Sequence, residues 1–80
     1  MGAAHDREYQ AFLSHLKAAR ESAGMTQSEV AAALSRPQSF VSKCESGERR
    51  VDAVELVRLL KVYGVTLPRF VRTLPRWFSR

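Results

Sequence analysis

Four helix-breaking residues, Gly24, Pro37, Gly47 and Gly64, govern what this chain can become, because each stops a helical pattern and each lies beside a signal that starts another. Thr26 with Glu29, and Asp52 with Glu55, are the reciprocal pairs of a capping box, in which the cap side chain and the acid three residues on each satisfy the other's backbone N–H. Pro37 cannot continue a helix but suits the first turn of the next. Thr66, followed by Pro68, marks one further start, and Pro75 a stop or kink. No segment alternates over four or more residues as a strand would, and there is neither a repeat nor a low-complexity run. The fold class expected is all-α.

Apolar spacing fills in the helices. Tyr9, Phe12, Leu13, Leu16, Ala19 and Ala23 fall at steps of three and four and draw one stripe along a first helix. Val30, Ala31 and Leu34 give the buried side of a second, where the run Ala31, Ala32, Ala33 lets another backbone come close. A third, from about Gln38 to Ser46, sets Val41 and Cys44 on one side and Ser39, Ser42, Lys43 and Ser46 on the other. A fourth carries Val54, Leu56, Val57, Leu60 and Tyr63, and a short fifth runs through Phe70 and Val71. The organisation expected is a flexible N-terminus over 1–8, one domain over 9–73 and a basic aromatic tail over 74–80.

Eighty residues bound the chain to one domain, and a hydrophobic fraction of 45% suffices for a small core. No apolar run approaches the roughly 20 residues of a membrane span, and the N-terminal residues lack the pattern of a signal peptide, so a cytoplasmic location is expected. The lone Cys44 cannot form an internal disulfide, and with His5 and His15 it cannot complete a four-ligand zinc site. No phosphate-binding loop or nucleophile arrangement is found, so neither an enzyme nor a cofactor is expected. The formal charge of +5 favours a polyanionic partner. All of that excess is C-terminal: residues 1–55 sum to −1, whereas Arg58, Lys61, Arg69, Arg72, Arg76 and Arg80 stand with no acid among residues 56–80. Such a segment is either a solvated basic surface or one that touches phosphate or an acidic partner.

Helix, tight turn and helix across Thr26–Ser46 is the shape of a helix-turn-helix unit. The residues that fill it are Thr26-Gln27 opening the second helix, Ala31 at the crossing, Gln38-Ser39 opening the third, and the closing run Glu45-Ser46-Gly47-Glu48-Arg49. Over about residues 9–73 the chain closely resembles the Cro/repressor-like helix-turn-helix regulators, the XRE family. The resemblance implies a compact five-helix, lambda-repressor-like domain that binds a double-stranded DNA operator as a homodimer and regulates transcription, most simply as a repressor on the nucleoid.

It assigns base reading on the third helix to Gln38, Ser39 and Lys43, with Gln suited to adenine and Lys to guanine in the major groove. It gives phosphate contact to Gln27, with Arg36, Ser42, Ser46, Arg49 and Arg50 as further phosphate candidates. Arg20 and Glu45 match a structural ion pair. Phe40 either packs on the core or lies along a sugar or thymine methyl. Three positions depart from the family pattern: Ser35 replaces a glycine and must take a left-handed turn, Pro37 replaces a Ser or Thr cap, and Cys44 replaces a larger apolar residue. Cys44 is either buried core or a redox-sensing thiol.

Beyond the resemblance, Phe70, Leu74, Trp77 and Phe78 are candidates for a dimer contact, the alternative being that the C-terminal apolar residues cover the first and fourth helices. Other functions open to the same fold are an antitoxin, a restriction–modification controller, and an interaction module whose basic C-terminal segment binds an acidic protein. A membrane-surface role is disfavoured because Pro75 interrupts the amphipathic pattern.

Overall fold

Each start and stop signal becomes a helix boundary. The computed structural model describes residues 3–78, in which the elements are α1 (Ala3–Ser22), α2 (Gln27–Leu34), α3 (Gln38–Ser46), α4 (Ala53–Tyr63) and α5 (Leu67–Thr73). Thr26 and Asp52 cap α2 and α4 with both halves of the capping box made. Thr66 accepts from the Arg69 N–H at the start of α5. Among the described residues there is no strand.

α1 lies across α3, α4 and α5, while α2 packs on α3 and α4. Leu16, Val30, Val41, Leu59, Leu60 and Phe70 close the core between them, and Phe12 meets the Phe70 ring edge-on at 5.8 Å. Gly47 is required on two counts. Its φ of 86° is left-handed, and a Cβ there would come within 3.2 Å of Leu13 Cδ1 on α1. The loop after α3 is tied back to α1 by the Val51 N–H, which donates to the Tyr9 hydroxyl at 3.0 Å.

Four expectations are corrected. α1 begins at Ala3, six residues before Tyr9 and over part of the segment expected to be flexible; Met1 and Gly2 lie outside the described residues. Ala23 falls beyond the helix and is exposed. On α4 the buried face carries Leu59, Leu60 and Tyr63, and Val54 and Val57 stand 61% and 44% exposed. Phe70 is 2% exposed, a core residue with no surface to offer a second copy. Of the remaining C-terminal apolar residues, Leu74 packs against the core. The Trp77 ring lies under the Arg7 guanidinium of α1 at 4.0 Å, and Phe78 borders a recess with Tyr9, Phe12 and Val51.

Candidate nucleic-acid interface

The turn between α2 and α3 is set by two unusual residues. Ser35 ends α2 at φ 55° and ψ 44°, the left-handed conformation that a β-carbon disfavours, and its N–H closes on the carbonyls of Ala31 and Ala32. Pro37 then caps α3 at φ −65° without a side-chain bond, its ring supplying the turn angle in place of a hydroxyl acceptor. α3 is pinned from inside by Phe40, Val41 and Cys44, all buried. Its outer face presents Gln38, Ser39, Ser42, Lys43 and Ser46, all exposed. This is a convex helix face with short polar side chains and one cation, and nothing on it is bulky enough to hold a groove wall away.

Behind that face a polar network joins three helices. Arg20, 8% exposed, donates from Nε to Glu45 Oε2 at 2.6 Å, from Nη2 to Glu45 Oε1 at 3.1 Å and from Nη1 to the Met25 carbonyl at 2.8 Å. The bond to Glu45 raises the Arg20 pKa further above its ordinary value. Removing either partner would strand a desolvated charge at about 3–5 kcal/mol. Gln27, read from the sequence as a phosphate contact, gives an amide hydrogen to Glu45 Oε1 at 2.9 Å. Its carbonyl faces Gln38 Nε2 at 3.4 Å, and Gln38 Oε1 accepts from the Ser28 hydroxyl at 3.1 Å. Ser28 has no counterpart among the sequence expectations; the signal for it is its place in the first turn of α2, beside the start of α3.

The expected phosphate contacts fall into separate groups. Ser42 is exposed on α3. The Ser46 hydroxyl donates to the Lys43 carbonyl at 3.2 Å and accepts from the Glu48 N–H at 3.3 Å, so it finishes the helix. Arg36 and Arg49 both cover the Phe40 ring, at 4.5 and 5.0 Å, which settles Phe40 as core roofed by cations rather than a surface ring. Arg49 is also bonded to the buried Glu55 carboxylate, which raises its pKa and holds one side of its guanidinium. Arg50 sits over Tyr9 at 4.4 Å. Arg58, counted from the sequence with the C-terminal charge, lines the same recess as Arg36, Phe40 and Glu55. Arg69 and Arg72 belong to α5, which packs on α1 and α4 and on neither α2 nor α3.

Comparison with known proteins gives the same assignment. A family model described as a helix-turn-helix domain matches residues 11–71. The solved structure of an XRE-family like protein from Pseudomonas syringae pv. tomato str. DC3000 is 45% identical and superposes with a TM-score of 0.81, covering 86% of this chain and 84% of that one. The chain belongs to the XRE-type helix-turn-helix family. No curated protein matches the sequence. The protein is thus a DNA-binding regulator of helix-turn-helix type, and among the described residues no helix is long and apolar enough to cross a membrane.

Two groups inside this helix-turn-helix domain are held protonated. Burial pushes the Cys44 thiol up, with Glu55 adding to the effect and Arg49 opposing it. Burial also pushes the Tyr63 hydroxyl up to about 12, helped by Glu45 and opposed by Arg20.

Proposed function

We propose that this regulator represses transcription by seating α3 in the major groove of a specific operator. The observation that carries the reading is the division of α3 into a buried side, Phe40, Val41 and Cys44, and an exposed side of small polar residues with Lys43. Gln38, Ser39 and Lys43 meet base edges. Arg36, Arg50, Ser42 and the free side of Arg49 meet phosphates, with Arg58 beside Arg36 as an additional cation and Ser46 and the second amide hydrogen of Gln27 in supporting contact. A single such unit reads only a few base pairs, so two copies act on a palindrome whose half-sites lie about one helical turn apart, ~34 Å. The apolar side chains open to a second copy are Val54, Val57, Leu67 and Val71, of which Val57 and Leu67 line a groove of about 370 Å³ between α4 and α5. The site of action is the nucleoid in the cytoplasm.

A second reading, in which a basic face binds an acidic protein, is favoured by one feature: Arg69, Arg72 and Arg76 are exposed, and α5 touches neither helix of the recognition unit. Immunoprecipitation of the tagged protein from cells, with sequencing of the bound DNA, separates the two. The operator reading expects discrete peaks at promoters sharing a palindrome. Recovery of a protein complex with no enriched DNA would support the second reading against the first.

A further inference from the structure

Two adjacent arginines leave the loop after α3 in different directions and meet different kinds of neighbour. Arg49 turns to α4, where its guanidinium is spent in part on the Glu55 carboxylate. Arg50 turns to α1 and lies over the half-buried ring of Tyr9 at 4.4 Å. A guanidinium held by an aromatic face commits none of its N–H groups to that contact, whereas one held by a carboxylate gives up at least one. The same Tyr9 side chain takes the next residue as well, because its hydroxyl accepts the Val51 N–H at 3.0 Å. One side chain of α1 thus fixes two consecutive residues of the loop, Arg50 through its guanidinium and Val51 through its backbone. Tyr9 is itself set in place: its ring stacks on Phe12 at 5.6 Å, Phe12 meets the buried Phe70 edge-on, and Glu8 and Phe78 border the recess beside them. Arg50 stands exposed at the end of this chain of contacts.

We propose that Tyr9, which lies outside the helix-turn-helix unit, is a positioning residue for DNA binding: its ring stations the Arg50 guanidinium and its hydroxyl the loop backbone, so that Arg50 meets a phosphate from a prepared place. This rests on the reading that Arg50 contacts a phosphate. A long side chain loses rotamer freedom when it is fixed on a ligand, and here part of that loss has already occurred on folding. A phosphate contact carries no sequence information, so Tyr9 adds affinity and leaves the choice of operator to α3.

The experiment is a double-mutant cycle in the full chain, read as the affinity for a duplex carrying the selected operator at several salt concentrations. Arg50→Ala should weaken binding and lower the slope of log affinity against log salt by about 0.9 per bound copy, the mark of one lost phosphate contact. Tyr9→Leu, which keeps an apolar side chain against Phe12, should weaken binding by roughly two- to fivefold per copy when Arg50 is present. It should cost nothing further when Arg50 is already alanine. Tyr9→Phe, which keeps the ring and loses only the bond to Val51, should show a smaller loss that vanishes in the same way. If Tyr9→Leu does not fold, Tyr9→Phe carries the cycle. Losses of equal size with and without Arg50, or no loss from either variant, would mean that Tyr9 serves the fold alone and would overturn the proposal. An Arg50→Ala variant with unchanged affinity and slope would instead overturn the reading of Arg50 as a phosphate contact, and the positioning with it.

Discussion

At the scale of single residues, burial determines which groups are available to chemistry. Cys44 is 1% exposed and its thiol is pushed away from ionisation, and the thiolate is the reactive form. We therefore expect a thiol-specific reagent at neutral pH to react with Cys44 only as fast as the protein opens, and at once in denaturant; fast native labelling would restore the redox-sensor alternative. The same protonated groups set an alkaline limit on stability. Tyr63 keeps its proton in the fold to about pH 12, whereas an unfolded tyrosine releases it near 10 and a cysteine near 8.5. The folded state then binds more protons than the unfolded one, so stability holds below about pH 8.5 and falls as pH rises through that window toward 12. Urea unfolding followed across this range should show a declining midpoint, with Tyr63 contributing on the order of 2 kcal/mol, and Tyr63→Phe should flatten the upper part of the decline.

Among elements, the boundaries that carry side-chain caps were legible in the sequence, since Thr26 with Glu29, Asp52 with Glu55, and Thr66 are local devices whose bonds form within one turn. The start of α1 was not, because no cap residue marks it. The register of α4 was not either: Val54, Leu56, Val57, Leu59, Leu60, Val62 and Tyr63 leave apolar residues around most of an eleven-residue helix, and only docking on α2 and α1 selects the face with Leu59. Within the site, the outward residues of α3 followed from periodicity. The Gln27, Ser28 and Gln38 contacts did not, as they depend on how closely two helix starts approach in space. Ser35 offers a test of the turn. Its left-handed conformation costs a residue with a β-carbon about 1–2 kcal/mol, partly offset by the added freedom glycine gives the unfolded chain. Ser35→Gly should raise the unfolding free energy by about 0.5–1 kcal/mol in a urea titration; a loss of stability would mean that the Ser35 side chain itself stabilises the turn.

For the whole molecule, charge is divided unevenly along the chain. The recognition unit carries few net charges of its own, while the acid-free stretch from residue 56 onward supplies a positive field that reaches about a Debye length, ~10 Å. Pairing through the α4 and α5 face is tested by Leu67→Lys, a change at an exposed position beside Lys61. It should leave the melting temperature near that of the wild type and reduce two copies per palindrome to one in analytical ultracentrifugation; retention of two copies would place the dimer contact elsewhere. The central claim, that α3 reads sequence, is tested most directly by selecting duplexes from a random library with the wild type and with Lys43→Ala. The wild type should enrich one palindrome, and the variant the same palindrome with discrimination relaxed at one or two symmetric positions by about 1–3 kcal/mol. An identical motif and affinity for Lys43→Ala, or no enriched sequence for the wild type, would contradict that claim.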